Sequence, residues 1–341
     1  MPQATSLKVM QHGDPADVLQ LHYDEQPPKP GRGQVLLRMH AAPINPSDLL
    51  FIEGNYGIGP ELPVTAGLEG CGTVIDSGGG WLGKLHQGKR VSVVSRNAGT
   101  WAKWCVARAE TVVPVPKELS EEQAAAYFIN PASALAMIRW ILEVPQGEWM
   151  VQTAAGSALG RMVINLGQRF GFRTLSIVRR EEQAEKLRQL GGDAVIVATT
   201  ETPEDAFVEQ VREACRGQLP RYAIDPVGGT LSGLLLKGLG EGARVLYYGS
   251  LTEDPVPVLP RDVIVKNLKL ESFWLGRAIE NLSLLNKLRF IRELGKLHSE
   301  GVFQVETFKS FALEDFESAM QRVTDSHGAE KVIFRIGSPD E

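Results

Sequence analysis

The sequence predicts a two-domain α/β protein, in which a mostly β first domain precedes a doubly wound parallel sheet. Three observations predict it. The chain has 341 residues, enough for two domains. Its first third is rich in Gly and Pro and carries only short β-like runs. From about residue 149, apolar strands alternate with amphipathic helices, the order expected of a parallel sheet with helices on both faces.

Composition narrows the class. Apolar residues make up 43% and charged residues 23%, as in a soluble globular protein. A net charge of -5 argues against a general nucleic-acid binder, which carries a basic face. Cys71, Cys105 and Cys215 are far apart and form no C-x-x-C pair, so neither a disulfide framework nor a zinc lobe is expected, and a reducing cytoplasm is. Met1 to Met10 contains no apolar signal core and no Arg-rich presequence, and no apolar run approaches the roughly 20 residues needed to span a membrane.

In the first domain, Gln34 to Met39, Gly72 to Ile75 and Arg90 to Val94 read as strands. Turn clusters such as Pro27 to Gly31 and Ser77 to Gly80 separate them. In the second, Trp149 to Ala154, Thr174 to Val178, Ala194 to Ala198, Tyr222 to Ile224, Arg244 to Tyr248 and Leu268 to Trp274 supply six strands. Leu159 to Phe170, Glu181 to Leu190 and Pro203 to Cys215 supply helices, the second with Ala184, Leu187 and Leu190 at helical spacing. The tail holds a helix near Ser283 to His298, a strand, a short helix at Leu313 to Val323 and a strand at Val332 to Ile336. A terminal strand pairs with a sheet already present, so the tail is expected to return to the first domain. The expected boundaries are 1–128 with 277–341, and 129–276.

The turn after the first strand of the second domain is Ala154-Ala155-Gly156-Ser157-Ala158-Leu159-Gly160. A dinucleotide turn needs small residues so that backbone N–H groups at a helix N-terminus approach the pyrophosphate. The literal G-x-G-x-x-G is absent; Ala155 and Ser157 stand at its first two glycine positions, and the strand–turn–helix context carries the reading. Nineteen residues after Gly160 the second strand ends at Arg179-Arg180. An NAD site places a carboxylate there for the ribose 2′-hydroxyl, whereas an Arg fork matches a 2′-phosphate, so NADPH is the expected cofactor. The competing reading is a solvated arginine pair neutralised by Glu181 and Glu182. Two further strand ends, Asp225 to Gly229 and Tyr248 to Leu251, are expected to line the ligand crevice, with ordinary tight turns as the alternative.

This layout, with the strings Asn45-Pro46-Ser47-Asp48, Gly67 to Val74 and Asp225 to Gly229, resembles the medium-chain dehydrogenase/reductases over nearly the whole chain. The resemblance implies a GroES-like, mostly β catalytic domain and a Rossmann domain. Zinc alcohol dehydrogenases of that superfamily place Cys at the position of Asn45 and His at that of Leu68, with the third ligand at Asn130. These residues cannot make the usual Cys/His site, and the four-cysteine lobe is missing, so a zinc-free member with no metal ligands is expected.

Among zinc-free branches the chain is similar to the trans-2-enoyl-thioester reductases of the mitochondrial type. The strings are Glu53 to Gly57, Gly99-Thr100-Trp101, Asn130-Pro131, Arg173 to Arg179, Tyr248-Gly249 and Phe273-Trp274-Leu275, of which Gly54 to Gly57 and Phe273 to Leu275 are the more branch-specific. The resemblance implies Tyr56 as the catalytic residue. It implies NADPH contacts at Asn130, Gly156, Ser157, Ala158, Leu159, Arg179, Arg180, Tyr248, Gly249, Ser250, Leu251, Phe273, Trp274, Leu275 and Lys331. Ala158 and Ser250 stand where the family commonly has Gly.

Reduction of an enoyl thioester needs hydride at Cβ, a proton at Cα and a donor for the enolate oxygen. A Tyr56 phenol in a Gly-flanked loop meets that need, with Asn45 as a candidate for orienting it and Trp274 for shaping the acyl pocket, and plain packing as the alternative for each. The plain alternative for Tyr56 is a loop aromatic packed at a domain interface. Two rivals stand beside this reading: a zinc-free quinone or enone reductase on the same scaffold, and a non-catalytic NADPH-binding module. The substrate would be a small enoyl thioester or enone. The edge strand Leu268 to Trp274 could pair with its copy, giving a homodimer as in the family.

Overall fold

The structure, a computed structural model, describes residues 4–23, 25–57, 60–95, 99–304, 307–326, 328 and 330–337. The chain divides into two compact units, Met1–Asn130 with Val305–Glu341, and Pro131–Gln304.

The first unit is built on strands β1 (Ala4–Val9), β2 (Leu19–Tyr23), β3 (Gln34–Pro43), β4 (Val64–Thr65), β5 (Glu69–Ser77), β6 (Arg90–Val94), β7 (Trp104–Arg108) and β8 (Val112–Pro114). The strands β2, β1 and β4 form a three-stranded sheet. β3 and β5 run longer than the sequence predicts. β3 keeps a buried residue at nearly every position, and β5 and β7 pair with it along its edges. Trp101 is fully buried, stacks edge-on against Phe334 at 5.0 Å and donates from Nε1 to the Pro43 carbonyl at 3.2 Å. The Gly99-Thr100-Trp101 string thus has a packing role in this unit.

The second unit holds β9 (Trp149–Gln152), β10 (Arg173–Val178), β11 (Ala194–Val197), β12 (Tyr222–Asp225), β13 (Arg244–Tyr247) and β14 (Lys269–Ser272), in the order β11-β10-β9-β12-β13-β14. Every neighbouring pair is parallel. The order reverses direction between β10 and β12 around β9, the switch point at which open α/β sheets bind ligands. All six strands fall where the sequence predicts them. β9 ends at Gln152 and β14 at Ser272, each two residues short of the expected end, although Phe273 N still donates to the Tyr247 carbonyl at 2.8 Å.

The last strands, β15 (Phe308–Phe311) and β16 (Lys331–Arg335), rejoin the first unit. β16 pairs antiparallel with β3 and parallel with β15, completing a seven-stranded sheet of β15, β16, β3, β5, β6 and β8 with β7 on β3. The tail therefore returns as expected, but after Gln304 rather than at residue 277. The helix Leu284–Ser299 stays with the second unit for definite reasons. Phe290 packs edge-on against Trp140 at 5.5 Å, Glu293 accepts from Trp140 Nε1 at 3.0 Å, and Arg169 pairs with Glu300 at 2.7 Å. The short tail helix is a 3₁₀ turn, Leu313–Asp315, followed by an α-helix, Phe316–Ser326. Among the described residues no helix is long and apolar enough to cross a membrane.

Candidate active site

The two units carry separate sets of functional residues. In the second, Ser157 N-caps the helix Ala158–Phe170, its Oγ accepting from Gly160 N at 3.1 Å. The first amides of that helix have no acceptor within it, which makes its N-terminus an anion-binding end. Gly160 sits where a Cβ would lie 2.4 Å from the Ala155 carbonyl oxygen, so the close approach of helix and turn excludes any side chain there. Ala154, one residue before the first motif position, takes a left-handed φ of 48°, a conformation glycine adopts more readily. Beneath the turn, the fully buried Gln152 donates from Nε2 to the Gly160 carbonyl at 3.0 Å and to Ser176 Oγ at 3.2 Å. Arg161 folds back to donate to the Gly156 carbonyl at 2.7 Å. Gly156 and Ser157 are half-buried, while Ala158 and Leu159 are buried.

Arg179 and Arg180 are exposed at the carboxyl end of β10. The acidic residues that follow them are engaged along their own helix: Glu181 with Arg188 at 2.5 Å and Glu182 with Lys186 at 2.7 Å. Among the described residues no ion pair within 4.0 Å involves Arg179 or Arg180, although the Arg180 charge helps, after the Lys186 contacts, to lower the Glu182 carboxyl.

The neighbouring strand ends are knitted together. Asp225, fully buried, accepts from Thr153 Oγ1 and from the amides of Val227 at 2.8 Å and Gly228 at 3.3 Å. Tyr248 N donates to the Asp225 carbonyl and Leu251 N to that of Pro226. A Cβ on Gly249 would meet the Pro226 carbonyl at 3.1 Å. Burial, with the Asp225 charge beside it, pushes the Tyr248 phenol well above its ordinary range. Ser250 and Leu251 are exposed. Phe273 is buried; Trp274 is 37% exposed beneath the Arg277 guanidinium, which lies 4.9 Å from its ring centre, and Leu275 is half-buried.

In the first unit, Asn45 precedes the helix Pro46–Glu53 and is buried. Its amide oxygen accepts from Lys331 Nζ, and its Nδ2 donates to Glu69 Oε2 at 3.0 Å. Glu69 Oε1 in turn accepts from the amides of Phe128 at 3.0 Å and Ile129 at 2.7 Å. These amides lead into the helix Ile129–Leu135, whose second residue is the half-buried Asn130. Asp48 accepts from Asn45 N at 2.7 Å and Leu68 N at 2.8 Å. Burial pushes the Asp48 carboxyl up to about 7 and also raises Glu69, while burial lowers Lys331 against the opposing pull of both carboxylates. Asn45 thus belongs to a buried charge cluster, with both ends of its amide committed to Lys331 and Glu69.

The position that a zinc ligand set would need is chemically unsuited to the ion. Asn45 and Leu68 supply neither thiolate nor imidazole, and the Asn45 side-chain oxygen is already engaged by Lys331 Nζ.

Tyr56 follows the helix Pro46–Glu53 by three residues. The helix stops at Gly54 in a left-handed conformation, φ 87°. Tyr56 is half-buried, with its ring on the apolar core of the first unit.

Sequence reasoning missed Asp48 and Thr153 as organisers. Asp48 had a signal, since Asn45-Pro46-Ser47-Asp48 carries an acid three residues after a capping residue. Thr153 had none, because its partner Asp225 lies on another strand.

Comparison with known proteins agrees with this architecture. The alcohol dehydrogenase GroES-like domain family matches residues 31–117, and the zinc-binding dehydrogenase family matches residues 158–299. The chain is 33% identical to the mitochondrial enoyl-[acyl-carrier-protein] reductase of Rattus norvegicus, over 91% of this chain and 83% of that protein. It is 32% identical to the human protein of that name over the same shares. A putative NADPH:quinone reductase from Bacillus thuringiensis superposes with a TM-score of 0.87 at 28% identity, covering 97% of this chain and 98% of that one. Etr1p, solved as a complex with NADP and crotonyl-CoA, shares the fold with a TM-score of 0.83 at 22% identity, over 98% and 100% of the two chains.

Proposed function

This chain belongs to the medium-chain dehydrogenase/reductases, with the mitochondrial enoyl-[acyl-carrier-protein] reductases as its relatives, and on that premise we propose that it reduces the C=C bond of a trans-2-enoyl thioester with NADPH. The observation that carries the reading is the arginine pair Arg179 and Arg180, exposed at the end of β10 while Glu181 and Glu182 pair elsewhere. A guanidinium fork there favours a 2′-phosphate and gives no acceptor for a bare 2′-hydroxyl.

NADPH, when bound, supplies the hydride that goes to Cβ. The chain's own residues do the rest. The N-terminus of the helix Ala158–Phe170, held by Ser157 and Gly160, takes the pyrophosphate. Gly156, Ala158, Leu159, Tyr248 to Leu251, Phe273 to Leu275 and Asn130 complete the cofactor contacts. Lys331 is proposed as a further cofactor contact; it donates to Asn45, which donates to Glu69, whose carboxylate holds the amides of Phe128 and Ile129. Tyr56 orients the enolate oxygen or protonates Cα, and no metal ion shares that task.

The acceptor is supported by the enoyl-reductase relatives at 32–33% identity. A second reading, a quinone or enone reductase, is favoured by the likeness to the Bacillus thuringiensis protein. NADPH oxidation measured with a 2-enoyl-CoA and separately with a quinone separates them; faster turnover with the quinone sinks the enoyl reading. Tight NADPH binding without turnover on any enal, enone or enoyl thioester would instead make the chain a binding module.

We further propose a homodimer built on the edge strand β14, where Leu270 is 40% exposed and the adjoining Ile264 and Val265 are more than 70% exposed. A cytoplasmic setting suits three buried cysteines that form no disulfide.

A further inference from the structure

We propose that His40, Cys71 and Glu121 form a binding site for a divalent transition-metal ion of the zinc class. The three come from β3, β5 and the helix Glu121–Ala125, and one donor atom from each lies within 4.8 Å of the others. His40 Nδ1 is 2.9 Å from Glu121 Oε2, and Cys71 Sγ is 3.8 Å from the same oxygen. Around one tetrahedral ion with bonds of about 2.0–2.3 Å the same pairs would stand about 3.3 and 3.5 Å apart, a few tenths of an ångström from these separations.

The backbone is arranged to bring His40 there. β3 and β5 pair Met39 with Gly72 and Ala41 with Cys71, so His40 is the extra residue of a β-bulge. A bulge re-aims one side chain out of the regular alternation. The His40 carbonyl is held from the other side by the amide of Ile336 at 2.8 Å. The imidazole and the thiol are buried, and the Glu121 side chain is 19% exposed, which leaves a path from solvent past the carboxylate.

The surroundings supply what metal ligands require beyond the donor atoms. The second imidazole nitrogen, His40 Nε2, lies 3.1 Å from Thr73 Oγ1, two residues along β5 from Cys71. Arg90 donates from Nη1 to Glu121 Oε1 at 2.7 Å, orienting the carboxylate and leaving Oε2 toward His40 and Cys71. Arg90 is itself fixed by the carbonyls of Pro116 and Leu119. Partners of this kind fix ring tautomer and carboxylate orientation around protein metals.

In the neutral Nδ1–H tautomer of the metal-free chain, Nδ1–H donates to the Glu121 carboxylate and Nε2 accepts from the Thr73 hydroxyl. On binding, the ring proton sits on Nε2 and is accepted by Thr73 Oγ1, which frees the Nδ1 lone pair. The Cys71 S–H bond breaks, its proton passes to solvent, and the thiolate bonds the metal. Thiolate and carboxylate balance the two positive charges, and a fourth position remains for water. Cys105 and Cys215 lie in apolar clusters without such partners and serve as internal controls.

The test uses the full chain after chelator treatment, titrated with Co²⁺ alone. The expected result is a thiolate-to-cobalt charge-transfer absorption saturating at one ion per chain, bleached by added Zn²⁺. It should persist in Cys105→Ser and vanish in Cys71→Ser. Thr73→Val should weaken binding about 10-fold or more, as loss of a ligand's supporting hydrogen bond does elsewhere. Absence of the band from the wild-type chain at stoichiometric Co²⁺ overturns the proposal, whether or not the variants fold. So does a band that survives in folded Cys71→Ser.

Discussion

Lys331 Nζ donates to the side-chain oxygen of Asn45, a residue 286 positions earlier in the chain. The contact joins the returning strand β16 to the start of the helix Pro46–Glu53 and continues through Asn45 Nδ2 to Glu69. A buried ammonium, an amide and two carboxylates therefore join Asn45, Asp48, Glu69 and Lys331 in one cluster.

Breaking that cluster on one side should be costly. Lys331→Met leaves Glu69 and Asp48 buried without their cation and should destabilise the chain by about 3–5 kcal/mol. Combining it with Glu69→Gln should recover part of the loss. Chemical denaturation of the two single variants and the double variant measures the coupling, and additive losses would mean that the residues do not act together.

Asp48 should leave a signature in the pH dependence of stability. Its folded carboxyl is pushed up to about 7, against an unfolded value of about 3.9, with Lys331 and Glu69 as the charged groups around it. The folded chain then keeps a proton between pH 4 and pH 7 that the unfolded chain releases. Its contribution to stability is greatest below pH 4 and falls as pH rises through that window. Melting temperature against pH should therefore decline less steeply from pH 4 to pH 7 in Asp48→Asn than in the wild type; parallel curves would remove Asp48 as the source.

The arginine pair should decide between the two nicotinamide cofactors. Arg179→Gln and Arg180→Gln should each weaken NADPH binding about 10- to 100-fold, the equivalent of one lost charge-assisted contact, and leave NADH binding nearly unchanged. Fluorescence titration with both cofactors reads this directly. Equal losses for both would place the arginines away from the 2′-phosphate.

Tyr56→Phe should lower kcat roughly 100-fold with the KM for NADPH unchanged, if the phenol supplies a proton. Steady-state kinetics with a 2-enoyl-CoA tests it; unchanged turnover takes Tyr56 out of the mechanism.

Gly160→Ala should cost both stability and cofactor affinity, because the added Cβ would lie 2.4 Å from a backbone oxygen that cannot yield without opening the turn. Melting temperature and NADPH affinity should fall together, and a fully stable variant with intact binding would contradict the close approach.

Local pattern by itself determined a good deal. Alternating apolar strands and periodic helices placed all six strands of the parallel sheet, because those signals repeat over a few residues and survive without tertiary context. The strand–turn–helix around Gly156 and the arginines ending β10 were legible for the same reason: each lies within one short segment. The tertiary structure decided what depends on residues far apart in sequence. Two isolated carboxylates, Asp48 and Glu69, became a cluster only when β16 carried Lys331 back beside Asn45. The tail helix Leu284–Ser299 went to the second unit because Trp140 and Phe290 pack together, a contact no local periodicity encodes. His40, Cys71 and Glu121 follow no metal-binding spacing, and only a one-residue bulge in β3 turns the imidazole toward the thiol. Burial then gives these groups properties that a linear sequence leaves open, since desolvation and a partner's charge act through space.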